Sequence, residues 1–250
     1  MTPDQDSDNG DVKLHEIPDS MGVALEDIEQ AMPRFARWLY GRLRDDLGPR
    51  VLDAGAGIGT YAGLLLEDGH EVVALEYNPP FVEELKRRYA GNVALTVLQA
   101  ELGSKSGLPQ FDPVDSVICL NVLEHVEDDA RALRNIYERV RPDGRLFLLV
   151  PAYPRLYNTI DGAIGHFRRY SKGVLEARLA AAGWQTERVS RFNAFGVPGW
   201  FVAGLLRRKT PGRDLTRLYD WLVPAFGATE KYVIRGLWGL SLVAVCRRPE

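Results

Sequence analysis

Two cysteines in 250 residues, Cys119 and Cys246, are too few to staple a fold. Neither belongs to a C-x-x-C pair, so no disulfide and no metal site is expected, and a reducing, cytoplasmic setting is the default. Histidine is nearly as scarce, with only His15, His70, His125 and His166. No long hydrophobic run occurs either. The longest, from Phe192 to Leu206, is broken by Asn193 and Pro198 and falls short of the roughly 20 residues a spanning helix needs. The opening residues are acidic rather than basic then apolar, so no signal peptide is expected. Nor does one sign of charge dominate: the net charge of −3 is too close to neutral to argue for nucleic acid.

What is present points to a soluble enzyme-sized domain. Apolar residues make up 46% of the chain, enough for a large core. The charge is unevenly placed. Residues 1–20 carry Asp4, Asp6, Asp8, Asp11, Glu16 and Asp19 against Lys13 alone, which reads as a disordered acidic tail ahead of a single domain over residues 21–250. From Thr186 to Glu250, eleven Lys or Arg face five Asp or Glu. That excess suits an anionic substrate, a peripheral contact with anionic lipid, or a solvated basic face.

The most informative stretch is VLDAGAGIGT, Val51 to Thr60. A short apolar run meets Asp53, three glycines follow at Gly55, Gly57 and Gly59, and Leu64, Leu65 and Leu66 continue in helical fashion. The pattern reads as strand, tight turn and helix. Glycine tolerates positive φ and lets backbone approach a ligand closely, and the helix start offers free N–H groups. The spacing is G-x-G-x-G rather than the G-x-G-x-x-G of dinucleotide binders. Glu76, 21 residues after Gly55, ends a second apolar run (Val72 to Leu75). A carboxylate at such a strand tip can accept hydrogen bonds from ribose hydroxyls.

These residues resemble those of class I S-adenosylmethionine-dependent methyltransferases. In that family the glycine loop holds the methionine part of S-adenosyl-L-methionine and the strand-two acid holds its ribose. The resemblance implies cofactor contacts at Asp53, Gly55, Ala56, Gly57, Gly59, Glu76, Tyr77, Ala100, Glu101, Leu102 and Asn121. Glu101 stands where the family usually has an acid for the adenine amino group. The block from Asn121 to Ala152 (NVLEHVEDD…RPDGRLFLLVPA) is similar to the fourth and fifth motifs of bacterial small-molecule methyltransferases. Gly165 to Tyr170, GHFRRY, resembles a subgroup often found among genes for glycan or secondary-metabolite building.

The expected architecture is therefore α/β: a doubly wound seven-stranded sheet with its last strand antiparallel. The strands expected are one at Val51, two ending at Glu76, three over Val93 to Leu98 and four over Asp115 to Leu120. Strand five runs over Leu146 to Val150, six over Trp184 to Arg191 and seven over Leu240 to Cys246. A helical segment over Glu26 to Leu47 precedes the sheet. Asn78 before Pro79-Pro80 reads as a helix start, the acids at 127 to 129 as another, and Ser171 as a third. Residues 191–239 exceed any plain hairpin loop and read as a helical insertion that caps the substrate.

Methyl transfer to a hydroxyl needs a positioned nucleophile and a base, and histidine suits work near neutrality. His125 after strand four and His166 after strand five are the catalytic candidates. Acceptor-lining candidates are Tyr153, Tyr157, Arg168, Arg169, Tyr170 and Trp200. The arginines either grip an acceptor anion or pair with Glu124 or Asp161 and hold the loop. Phe195, Trp200, Phe201 and Tyr232, beside Arg207, Arg208, Lys209, Arg213 and Arg217, suit an amphipathic acceptor. O-methylation of a small molecule in secondary-metabolite, glycan or lipid building is the expected function. N- or C-methylation, a nicotinamide-dependent enzyme and a non-catalytic cofactor binder are the rivals.

Overall fold

The computed structural model describes residues 30–207, 212–230, 232 and 236–250. The acidic tail, the start of the N-terminal segment, and Arg208 and Lys209 lie outside the described residues. Seven strands form one sheet in the order β3-β2-β1-β4-β5-β7-β6. They are β1 Arg50–Ala54, β2 Glu71–Glu76, β3 Leu95–Gln99, β4 Val114–Leu120, β5 Val140–Pro151, β6 Gln185–Phe192 and β7 Ser241–Arg247. The first five pair in parallel, and β7 runs antiparallel between β5 and β6.

Two faces of apolar side chains explain why the strands read as unbroken hydrophobic runs. Val51, Ile118 and Phe147 point to one face, where they meet Leu39 and Leu43 from the N-terminal segment and Leu65 from helix α2 (Thr60–Glu67). Their neighbours Leu52, Val117 and Leu148 point to the other. There they meet Leu133 and Ile136 of α4 (Asp129–Tyr137) and Leu175 and Leu179 of α6 (Lys172–Ala181). Helix α3 (Pro79–Arg88) buries Leu85 against Ala74. The apolar side chains between sheet and helices contribute about 1.5–3 kcal/mol per fully buried Leu, Ile or Phe.

Several expected boundaries shift. The N-terminal helix is short, α1 over Pro33–Tyr40, then a turn at Gly41 and a 3₁₀ turn at Arg44–Asp46. Strand three starts later, because Val93 is fully exposed. Strand five starts earlier, at Val140, with an irregularity in its pairing to β4 between Val114 and Ser116. Asn78 precedes α3, but its side chain makes no capping bond. Its backbone N–H donates to Glu76 Oε1 instead, at 2.9 Å. Asp128 does cap α4, accepting from Arg131 N, and Ser171 caps α6, accepting from Val174 N.

Between β6 and β7 the chain forms α7 (Gly196–Leu205) and α8 (Arg213–Thr229). Helix α8 packs on α1, where Asp220 accepts hydrogen bonds from the backbone N–H groups of Arg34 and Phe35. A short helix α5 (Thr159–Ala163) follows β5 and meets α7 through Ile160, Ile164 and Trp200.

Candidate active site

The direction of chain crossover reverses between β1 and β4, and ligands in open α/β sheets bind outside the strand ends at such a point. There the turn after β1 meets the turn after β4. Gly55, Gly57 and Gly59 all have positive φ, +84°, +55° and +89°. A Cβ on Gly55 would lie 2.5 Å from a methyl of Val122, so the two loops touch only because that residue is glycine. Asn121, the first residue past β4, also has positive φ and is exposed.

Glu76 ends β2 almost wholly buried. Its Oε2 accepts from Gly57 N at 2.9 Å, and its Oε1 accepts from Tyr77 N and Asn78 N at 2.9 Å each. The carboxylate thus ties the glycine turn to the second strand. Burial raises its pKa, and the three backbone N–H groups pull against that rise. Three bonds leave Oε2 with room for one more donor. Asp53 and Ala56 are buried beside this turn, Tyr77 and Ala100 half-buried, and Ala100 N donates to Glu76 O. Glu101 is exposed just past β3, whereas Leu102 is buried with its carbonyl held by Asn135. The eleven positions expected to touch cofactor therefore lie along the ends of β1 to β4. The N-terminus of α2, at Gly59, carries no side-chain cap.

On the β4–β5 side, His125 and His166 come together, with ring centroids 4.7 Å apart and planes at 77°. His166 Nδ1 lies 2.7 Å from Asp161 Oδ1, so it donates there and leaves Nε2 turned to Glu124 Oε1 at 3.8 Å. Asp161 also accepts from Arg169 Nε at 2.8 Å and from Asn158 N at 2.9 Å. Burial alone would raise the Asp161 pKa, but the bonds from His166 and Arg169 hold it below the usual carboxylate range. Burial pushes Glu124 up to about 7, against the pull of His166 and Arg169. Burial, with His166 adding to it, pushes His125 down to about 3, against its bond to the Gly165 backbone.

The expected acceptor residues divide. Arg169 is buried and spent on Asp161 and on Ala152 O. Arg168 pairs with Asp129 at 3.0 Å and donates to Glu127 O. Of the two readings of these arginines, their placement is that of loop clamps. Tyr170 sits in the core with its hydroxyl on Asp129, a supporting post rather than a pocket wall. Trp200 lies under the Arg169 guanidinium, 4.6 Å away, and packs on Ile160 and Ile164. Tyr153 is half-buried beneath Arg191, and Tyr157 is exposed with its hydroxyl on the His166 carbonyl. Phe195 stacks on Phe226 at 4.2 Å, while Phe201 and Tyr232 face solvent. Asp161 and Glu124 entered the sequence reading only as partners for arginine. Their contact with His166 has no local signal, apart from the Asn158–Asp161 capping box that places α5.

With this geometry in view, a family model described as a methyltransferase domain matches residues 52–146. An uncharacterised methyltransferase of Mycobacterium tuberculosis is 32% identical over 150 residues, covering 60% of this chain and 56% of the relative. A mitochondrial ubiquinone biosynthesis O-methyltransferase of Schizosaccharomyces pombe is 33% identical over 102 residues, 40% of this chain and 37% of the relative. The chain thus spans about half the length, or less, of these curated relatives. Among solved structures, a Burkholderia thailandensis 1,6-didemethyltoxoflavin-N1-methyltransferase holding its substrate and S-adenosylhomocysteine superposes with a TM-score of 0.55. It shares 21% identity over 92% of this chain and 83% of that one, a likeness of fold. The matched segment runs from β1 into β5, and the sheet beyond it closes with an antiparallel seventh strand. Residues 52–146 thus carry a methyltransferase domain, set in a Rossmann-like seven-stranded sheet whose last strand is antiparallel.

Proposed function

We propose that this protein moves a methyl group from S-adenosylmethionine to the oxygen of a small-molecule hydroxyl. The observation that carries the choice of oxygen is the Asp161–His166 pair. An amine attacks through its own lone pair, but a hydroxyl must lose a proton as it attacks. Asp161 fixes the His166 tautomer with Nδ1 protonated and Nε2 able to accept. The same logic orients the imidazole of a nucleophile-activating triad.

The residues present suit the cofactor. Glu76 Oε2 retains a site for a ribose hydroxyl, the glycine turn permits close backbone approach, and the uncapped start of α2 suits a carboxylate. When bound, S-adenosylmethionine supplies an electrophilic methyl on a sulfonium. The chain's part is to hold the acceptor in line, take its proton at His166 Nε2 and exclude water. The O-methyltransferase among the relatives supports this reading.

Residues 191–239 serve in this account as a cap for an acceptor with an apolar body and an anionic end. Phe201, Leu205, Leu206 and Trp221 are exposed on α7, just past it and on α8, and Arg207 and Arg217 belong to the same segment. Such a mixture suits amphipathic molecules.

The test is transfer of labelled methyl from S-adenosylmethionine to a whole-cell extract, with the labelled product read by mass spectrometry. An O-methyl product is expected, formed at least about 100-fold more slowly by His166→Gln with S-adenosylhomocysteine affinity retained. Label in protein or nucleic acid, or full activity of His166→Gln, contradicts the proposal.

A further inference from the structure

Glu124, His125 and His166 each offer one ligand atom, and these atoms lie within 4.8 Å of one another. A base and its orienting carboxylate account for His166 and Asp161, but not for Glu124. Its side chain is 1% exposed, and Oε2 has no hydrogen-bond partner. A buried carboxylate oxygen without a donor is costly unless something positive sits beside it. Both imidazoles, meanwhile, are oriented from outside the cluster. His166 Nδ1 is held by Asp161, itself held by Arg169, and His125 bonds the Gly165 backbone. Loop hydrogen bonds keep the three together: Phe167 N donates to Glu124 O, and His166 N to Asp161 O. One ring nitrogen anchored and the other presented beside a carboxylate is the arrangement that outer partners impose on metal-ligating histidines.

We infer that Glu124, His125 and His166 bind a divalent first-row transition cation, for which Zn²⁺ is the best fit. Two imidazoles and one carboxylate form the donor set of open catalytic zinc sites, whereas Mg²⁺ and Ca²⁺ prefer oxygen shells. Bond lengths near 2.0–2.1 Å place ligand atoms about 3.3 Å apart, so binding draws the cluster inward. Glu124 Oε2 then gains the positive partner it lacks. Three protein ligands leave a fourth position of a tetrahedral ion open. That the acceptor hydroxyl occupies this position rests on the proposed function; the cation site itself does not. A cation would use the same His166 Nε2 lone pair that takes the acceptor's proton in the cation-free protein, so the two roles exclude one another; in the loaded protein coordination would lower the hydroxyl's pKa and its proton would leave to solvent.

The test uses the full chain, treated with EDTA and desalted, titrated with ZnCl₂ by calorimetry and with CoCl₂ by visible absorption, with MgCl₂ as contrast. One equivalent of Zn²⁺ should bind, Co²⁺ should give the intense bands of a four- or five-coordinate ion, and Mg²⁺ should give no heat. Glu124→Gln keeps the buried shape, and His125→Asn keeps a polar side chain at a half-buried position. Each should weaken Zn²⁺ binding at least tenfold, and circular dichroism in EDTA reports that they fold. Absent Zn²⁺ binding, the weak bands of six-coordinate Co²⁺, or unchanged affinity in a folded variant overturns the inference. S-adenosylhomocysteine is titrated into the same EDTA-treated samples. Its failure to bind counts against the methyltransferase reading and leaves the cation result standing.

Discussion

At the scale of single residues, the site is organised by two that do opposite things. Glu76 gathers three backbone N–H groups around one carboxylate, and Gly55 removes a side chain so that the β1 and β4 turns can touch. Gly55→Ala puts a Cβ against Val122 and forces alanine to φ +84°. Left-handed backbone costs roughly 1–2 kcal/mol, and the overlap adds a further 1–3 kcal/mol or so. The melting midpoint should fall by several degrees, at about 2–4 °C per kcal/mol for a chain of this size; an unchanged midpoint would mean the turn relaxes freely. Both residues were legible in the sequence, because a glycine turn and a strand-tip acid are local patterns. Asp161 was not legible as the partner of His166. The two stand five residues apart, and only the folding of α5 and the 165–170 loop back onto β5 brings them to 2.7 Å.

At the scale of elements, the insertion is tied to the N-terminal helix by a cap supplied from afar. Met32, the residue before α1, makes no side-chain cap. Asp220 of α8 takes the Arg34 and Phe35 N–H groups instead, at 3.3 and 2.8 Å, the groups an N-cap side chain would take. Its negative charge also suits the helix start. Asp220→Ala should cost about 1–2 kcal/mol, read as a lower thermal midpoint, while Asp220→Asn, which keeps one acceptor oxygen for the 2.8 Å bond from Phe35 N, should cost less. Equal losses in the two variants would show that charge rather than hydrogen bonding holds the contact. Periodicity located each core element, yet it overran α1. Phe35, Trp38, Leu39, Leu43 and Leu47 keep helical spacing, but the chain turns at Gly41 and packs Leu43 and Leu47 without a continuous helix. The side chain of Asn78 makes no cap, and its backbone N–H goes to Glu76, two residues earlier.

At the scale of the whole molecule, the strands were legible because parallel strands buried on both faces read as plain apolar runs, and the antiparallel closure was what the family resemblance implied. Of the β4–β5 cluster, His125 and His166 were legible as candidates in neighbouring loops, but Glu124 as their companion was not. The cluster's three proposed cation ligands come from two loops, His125 and His166 standing 41 positions apart, with none of the cysteine spacing that marks a metal site. The central claim is that the β1–β2 edge receives S-adenosylmethionine through Glu76. Calorimetric titration of S-adenosylhomocysteine into the wild type and Glu76→Ala, beside NAD, tests it most directly. The account predicts saturable one-to-one binding to the wild type, no heat with NAD, and about 1.5–3 kcal/mol weaker binding to the variant. Binding of NAD without S-adenosylhomocysteine, or an unchanged dissociation constant in a folded Glu76→Ala, would contradict it.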